Sequence, residues 1–401
     1  MTTPTVPTEA PLILDSTLRE GEQTPGVAFS IEEKVQIARL LDAFGVAIIE
    51  AGHPAVSPEV RAGVRAVVDE GLDASILAHS RALREDIDLV LATEADRIGL
   101  FFCVRDAALE ARFRKDIDAA ERLVVDAVEY AVDHGLKVRY TPEDTVRSDF
   151  RKVVRIANAA LTAGAERISI ADTCGAMDPF RMQRFVTDLR QEVDAPMNVH
   201  CHNDLGLAVA NSLAAWHSGV TVIDTCVNGL GERCGITDLA SLTTAIQTLH
   251  GIGPWDLTLL PELSETVARH ARVPVPVQAP VVGRTAFSHN AGLHVSAVLL
   301  DPSHYENISA ARVGRQRELV LDRFAGLPTV RYRLARLGVH ATDEEAGAVL
   351  RLIKQSEARE VNDDGLSEVW ARATGRAITG IVTTQDPAIA PTGDVAVART
   401  D

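Results

Sequence analysis

Two stretches of this chain carry residue types that bind a cation and act on a carbonyl group. Asp15-Ser-Thr-Leu-Arg-Glu-Gly-Glu-Gln23 follows the apolar run Pro11-Leu-Ile-Leu14, and Val199-His-Cys-His-Asn-Asp204 follows Val193 to Asn198. Each reads as the C-terminal end of a strand entering a loop. Side chains two apart on a strand share a face, so His200 and His202 present two imidazoles to one side. Imidazole nitrogens suit divalent metals, and a carboxylate from elsewhere completes a site that keeps positions open for substrate. A metal so held takes a 2-oxo acid through its keto oxygen and one carboxylate oxygen, and polarises the ketone toward attack. Arg19 is placed to neutralise the alkoxide that forms. Glu143 is placed to orient or move a proton, and a histidine from a later loop to act as general base. The set suits carbon–carbon bond formation or cleavage beside a ketone. Hydride transfer, phosphoryl transfer and peptide hydrolysis find no GxGxxG turn after the first strand, no Walker A, no HExxH and no GxSxG.

These residues need a scaffold that brings strand ends together. From residue 12 to about 251, β-rich runs alternate with amphipathic ones. The expected strands are Leu12–Asp15, Val46–Ala51, Ser75–His79, Arg97–Cys103, Lys137–Tyr140, Arg167–Ala171, Met197–Cys201 and Val222–Val227. Between them lie helical patterns such as Ile31–Phe44, where Ile31, Val35, Ala38 and Leu41 recur at helical steps behind the capping box Ser30-Ile-Glu-Glu33. Gly45 closes that helix just before the next strand. Eight such units fit a (β/α)8 TIM barrel better than an open doubly wound sheet. In a barrel the active site lies at the C-terminal strand ends, which is where both motifs fall. His79, Arg139, Thr141, Glu143, Asp172, Thr173 and the Gly229–Asp238 segment fall there too.

Beyond about residue 252 the prolines at 254, 261, 274, 276 and 280 break the pattern. A loop with two histidines, His289 and His294, follows. Helices are expected at Leu327–Leu337, Asp343–Glu357 and Leu366–Ala373, forming a C-terminal helical appendage. The organisation expected is a flexible N-terminus (1–10), a catalytic barrel (11–253), a linker or lid subdomain (254–310), a helical subdomain (311–380) and a disordered tail (381–401).

The 401 residues carry a formal charge of −16 and are 46% hydrophobic. Such an acidic balance argues against a nucleic-acid surface and against anionic membranes. No apolar run approaches the roughly 18 residues of a membrane span, and the N-terminus does not read as a secretory signal. Five cysteines, at 103, 174, 201, 226 and 234, form no CxxC pair. They suggest a reducing compartment, and the cytoplasm is expected.

Together, Asp15–Gln23, His200-Cys-His-Asn-Asp204 and Asn228-Gly-Leu-Gly-Glu-Arg-Cys-Gly-Ile-Thr237 resemble the 2-isopropylmalate/homocitrate synthase family over residues of about 11 to 355. Members are metal-dependent barrels that condense acetyl-CoA with a 2-oxo acid and then hydrolyse the thioester. The resemblance implies Glu20, His200 and His202 as protein ligands of a divalent metal (Mg, Mn, Zn or Co), with acetyl-CoA as co-substrate. It implies Arg19 as the group that stabilises enolate and alkoxide oxygens. Gln23, Arg139, Thr141 and Thr173 would hold the 2-oxo acid, and Glu143 would support catalysis. His289 or His294, with Tyr305, would reach a neighbouring subunit's site, since members are usually domain-swapped homodimers.

Within the family, Glu20 and Gly235-Ile-Thr237 resemble the homocitrate synthases, and His79 aligns with the histidine they use for the far carboxylate of 2-oxoglutarate. Gly99 departs from them, standing where they tend to carry an Asp. Asn290 and Leu293 replace a Lys and a Met, and Gln23–Ser30 reads more like the isopropylmalate synthases. A less negative distal pocket keeps other acids in play: phosphonopyruvate, oxaloacetate, or the acceptors of isopropylmalate and citramalate synthases. A carbon–carbon lyase resembling hydroxymethylglutaryl-CoA lyase is the reading from another class. Glu20 and the Gly229–Gly235 loop fit the synthases better.

Overall fold

Local signals in the chain set the helix ends, and the alternation of elements then sets the fold. Helix Ile31–Phe44 begins at Ser30, whose hydroxyl accepts from the Glu33 amide while the Glu33 carboxylate accepts from the Ser30 amide. A cap of this kind contributes about 1 kcal/mol. Its far end turns at Gly45, whose φ of 100° lets the amide return to the Leu41 and Asp42 carbonyls. The chain then enters the next strand.

The computed structural model describes residues 7–378; the first part of the expected flexible N-terminus and the whole expected tail (381–401) lie outside the described residues. The chain divides into two units, one ending at Val275 and one beginning at Pro276. The first unit is a closed barrel of eight parallel strands in sequence order. They are β1 (Leu12–Asp15), β2 (Ile48–Gly52), β3 (Ser75–Arg81), β4 (Arg97–Cys103), β5 (Lys137–Glu143), β6 (Arg167–Asp172), β7 (Met197–Cys201) and β8 (Val222–Thr225). β8 closes the ring on β1, with Leu14 opposite Asp224 and Asp15 opposite Thr225. This is the (β/α)8 architecture expected from the order of elements. The unit continues past residue 253 through helix Leu260–Ala271, which packs on helix Ile31–Phe44.

The strands' period of two sorts their side chains by height as well as by face. Leu14, Ile48, Leu77 and Val222 form one apolar cluster. Two residues further along each strand, Ile48 gives way to Glu50, Leu77 to His79 and Val222 to Asp224. The same inward face is therefore apolar below and polar toward the C-terminal mouth. Burying a Leu or Ile side chain contributes roughly 1.5–3 kcal/mol, so the apolar layer supplies the stability that the polar layer draws on.

In the second unit, Ser288–His289 pairs in parallel with Glu318–Leu319. Helices Leu327–Arg336, Asp343–Gln355 and Asp363–Thr374 enclose a core of Val330, Leu334, Val349, Ile353, Leu366 and Trp370. The last helix starts three residues earlier than its apolar stripe, because the Asn362 side chain accepts from the Gly365 amide and caps it. Among the described residues, no helix is long and apolar enough to cross a membrane.

Candidate active site

The loop after β1 is stapled to β8 before it presents any functional group. Asp15 accepts from the Thr17 amide at 2.9 Å and from the Thr225 hydroxyl at 3.0 Å, and the Thr17 hydroxyl accepts from the Val227 amide at 2.9 Å. The amides of Arg19 and Glu20 both return to the Ser16 carbonyl, tightening the chain into a turn that aims the two side chains at the mouth. From the opposite direction, the Lys34 ammonium donates to the Leu18 carbonyl at 2.9 Å and reaches the Ala51 carbonyl at 3.5 Å. This lysine is buried, and pairs with Glu22.

Glu20, His200 and His202 meet there, with one ligand atom of each within 4.8 Å of the others. His200 Nε2 lies 3.3 Å from His202 Nε2, and His202 Nε2 lies 3.9 Å from Glu20 Oε1. His200 Nδ1–H donates to Asp224 Oδ2 at 3.0 Å, which leaves the Nε2 lone pair facing inward. Two nitrogens bonded at about 2.1 Å to one ion, at angles of about 90–109°, stand about 3.0–3.4 Å apart. The imidazole pair has that spacing. Burial opposes ionisation of Glu20, but Arg19, the two histidines and the Glu232 amide outweigh it and hold the carboxyl at about 2. Burial and the neighbouring His200 lower His202 to about 4, so it is a neutral imidazole near pH 7. Two imidazole nitrogens turned toward each other and an ionised carboxylate fit a divalent cation.

Beside the cluster sits a charge hub that the motifs did not reveal. Glu50 of β2 is fully buried and accepts from Ser16 Oγ at 2.6 Å, Arg19 Nε at 2.7 Å, Arg139 Nη2 at 2.9 Å and His79 Nδ1 at 3.1 Å. Burial alone would raise its pKa, but the two guanidiniums and His79 hold it well below the usual carboxylate range. Arg19 also pairs with Glu20, so one side chain links the hub to the candidate metal cluster. Arg139 reaches Asp224 at 3.5 Å on its other side. Its guanidinium occupies the space over Gly99, where an added Cβ would stand 2.7 Å from Nη2.

A cleft of about 220 Å³ opens above these groups. It is lined by Arg19, Glu20, Gln23, His79, Arg139, Thr141, Glu143, Thr173, His200 and His202, together with His53, Phe101, Asp224 and Glu232. The inward positions of β5 are Arg139, Thr141 and Glu143, two apart along one strand. The Thr141 hydroxyl and Glu143 Oε2 are buried without a hydrogen-bond partner, while Glu143 Oε1 accepts from Arg112 at 3.0 Å. The Thr173 hydroxyl accepts from the Asp144 amide at 3.1 Å. Cys201 is buried and does not line the cleft, as strand alternation requires.

The remaining expected residues lie in the second unit. His289 Nε2 is 3.0 Å from Glu306, which also binds Arg317, and the His294 ring packs on Tyr305 with centroids 4.2 Å apart. They form two pairs within the second unit.

Sequence reasoning passed over Glu50, Asp224 and His53. A signal was present: Glu50 and Asp224 are ionisable residues inside strands that are otherwise apolar, at positions that alternate with core residues. Such a carboxylate needs a buried partner.

Residues 10–267 match the HMGL-like family model, and residues 281–361 match a second one, the homocitrate synthase post-HMGL domain-like family. A homocitrate synthase of Pyrococcus horikoshii is 46% identical over 361 residues, covering 89% of this chain and 99% of that protein. The chain belongs to the homocitrate synthase family of HMGL-like barrels. Another homocitrate synthase of this family, from Sulfolobus acidocaldarius, is 43% identical and covers 91% of this chain and 80% of its own length. Among solved structures, a hydroxymethylglutaryl-CoA lyase of Bacillus subtilis superposes with a TM-score of 0.60 at 20% identity, over 68% of this chain and 96% of that one. At that identity the likeness is one of fold.

Proposed function

We propose that this protein is a homocitrate synthase: an acyltransferase that joins acetyl-CoA to 2-oxoglutarate and releases CoA by hydrolysis of the thioester. The observation that carries the reading is the meeting of Glu20, His200 and His202 at the barrel mouth beside Arg19, in a chain similar to homocitrate synthases across both of its units.

Glu20, His200 and His202 would hold the divalent cation, which when bound orients the 2-oxo acid and polarises its keto group. Arg139, Thr141 and Thr173 hold the acid's C1 end, and Gln23 lines the same cleft as a further substrate contact; Thr141 has an unpartnered hydroxyl to offer. A base removes a methyl proton from acetyl-CoA, the resulting carbon attacks the keto carbon, and an alkoxide forms. Arg19 stabilises that oxygen, and its other contacts to Glu50 and Glu20 keep the guanidinium from swinging away. Glu143, with one oxygen on Arg112 and the other free, supports the proton transfer. Water then attacks the thioester carbonyl and the CoA thiol leaves. The reading extends to a cytoplasmic homodimer in which His289 or His294, and Tyr305, serve the site of the other subunit.

The test follows CoA release with a thiol reagent, in the presence of acetyl-CoA, Mn2+ or Mg2+, and a panel of acids. The panel holds 2-oxoglutarate, oxaloacetate, phosphonopyruvate, 2-oxoisovalerate and pyruvate. The expected result is turnover with 2-oxoglutarate well above the rest. A clear preference for another acid overturns the substrate, and no release with any of them overturns the synthase.

A further inference from the structure

A second pair of histidines stands at the face of the barrel opposite the cleft. Helices return the chain from the C-terminal strand ends to the N-terminal ones, so helices Ala208–His217 and Leu239–His250 both finish at the barrel floor. His217 is the last residue of one and His250 the last of the other. Their Nε2 atoms lie 3.3 Å apart, with ring planes at 71° and centroids 5.0 Å apart. The candidate metal pair at the mouth, His200 and His202, has Nε2 atoms 3.3 Å apart, planes at 63° and centroids 5.1 Å apart. The floor pair thus repeats the two-nitrogen geometry that one cation can bridge.

What surrounds the pair favours an ion between the rings. Trp216 is buried and meets both imidazoles edge-on, 5.0 Å from His217 and 4.9 Å from His250, which holds the two planes in place. Each ring sits at a helix C-terminus, where free carbonyls leave a partial negative charge that favours a cation. Burial lowers the pKa of both rings, so near pH 7 each is neutral and carries a lone pair. Without an ion, one Nε2 keeps a proton and donates it to the other. With an ion, both ring protons sit on Nδ1 and none is released. Both residues are half-buried, and His217 lines a surface cavity of about 860 Å³, so an ion reaches the pair without unfolding. Among the described residues, no carboxylate or thiol joins the pair at ligand distance, so water would complete the shell.

We propose that His217 and His250 form a second metal site, which takes one divalent ion of the Zn2+ or Ni2+ kind and ties together the ends of two neighbouring barrel helices. Imidazole nitrogens without a carboxylate select Zn2+, Ni2+ or Cu2+ over Mg2+ and Mn2+, which favour oxygen. The cluster at the mouth includes the Glu20 carboxylate and so admits the harder ions, whereas the floor pair does not. The two sites lie at opposite ends of the strands, and an ion at the floor stabilises the fold without touching the chemistry. By linkage, that stabilisation grows with the free ion concentration once it exceeds the Kd. The site stands independently of the proposed synthase activity.

The test uses the full chain without a histidine tag, stripped of metal and then dialysed against Ni2+ or Zn2+. Wild type is compared with His217→Gln, His250→Gln and the double variant His200→Gln/His202→Gln. Bound metal is counted by elemental analysis, and thermal midpoints are taken with and without the ion. The metal-free midpoint shows which variants fold, and if one floor variant does not, the other decides. Wild type is expected to bind one more ion per chain than H217Q or H250Q, and the double variant at the mouth to keep that ion. The midpoint of wild type should rise with Ni2+ or Zn2+ by more than that of either floor variant. An extra ion lost in the floor variants without such a rise supports the site and overturns the helix tie. Equal metal content in wild type and a folded floor variant overturns the site, and the 3.3 Å contact is then a shared proton alone. Loss of all bound metal in the double variant at the mouth overturns it as well.

Discussion

Asp224 on β8 and His200 on β7 hold each other across neighbouring strands, with Oδ2 3.0 Å from Nδ1. The carboxylate fixes which imidazole nitrogen carries the proton, and Asn198 fixes the carboxylate in turn, donating to Oδ1 at 2.7 Å. Asp224→Asn is expected to weaken metal affinity by about ten- to a hundredfold, since the amide orients the ring without charge support. Competition against a coloured chelator measures this directly. An unchanged affinity would show that the strand alone sets the ring.

Removing the proposed cation by chelation, or one of its proposed ligands by Glu20→Gln, is expected to cost a thousandfold or more in kcat, as the loss of several kcal/mol of charge stabilisation implies. Readdition of Mn2+ or Mg2+ should restore the chelated wild type and not the variant. Full activity in a preparation whose metal content is far below one ion per chain would contradict the assignment of Glu20, His200 and His202.

Much of this was legible in the residues themselves. The strand-end positions of Asp15–Gln23 and His200–Asp204 followed from local pattern, because apolar runs and helix caps act over a few neighbours. Strand lengths were less so. β5 runs through Pro142 to Glu143, where proline reads as a stop, and β4 pairs with it up to Cys103. Val46 falls outside β2, because its amide returns to the Leu41 carbonyl in the turn at Gly45. Glu50 escaped notice for a different reason. Its partners Arg19, His79 and Arg139 lie 31, 29 and 89 residues away, and only the closed ring brings their strands together.

Asp15 gives a pH signature of opposite sign to that of most carboxylates. Burial, against the opposing bonds from Thr17 and Thr225, raises it from 3.8 to about 6. Between pH 6 and 3.8 the folded chain holds a proton that the unfolded chain releases, so this group adds stability as pH falls and withdraws it as pH rises through 6. At full effect the span is about 3 kcal/mol. Asp15→Asn removes the dependence. The stability of D15N relative to wild type, from urea unfolding, is expected to be more favourable at pH 7.5 than at pH 4.5. A difference that does not change with pH would mean that Asp15 ionises normally.

Lys34 is buried and its principal charge partner is Glu22. Lys34→Met strands that carboxylate and frees the Leu18 carbonyl, at an expected cost of about 3–5 kcal/mol. The double change with Glu22→Gln should recover a large part of the loss, because no uncompensated charge remains. Thermal midpoints of the four proteins close this cycle. Additive losses would mean that the two side chains are not coupled.

Gly99 and Arg139 share one volume: the guanidinium fills the space that any side chain at 99 would claim. The two positions are thus epistatic by geometry. A library that varies residue 99 alone is expected to return proteins whose Arg139 has been displaced from Glu50, and these lose a group proposed to hold the C1 end of every acceptor acid. A change of acceptor through this corner of the pocket has to pass through paired substitutions, one that enlarges Gly99 and one that gives the Arg139 guanidinium another place to rest. A bare backbone position here makes the pocket hard to alter by single steps.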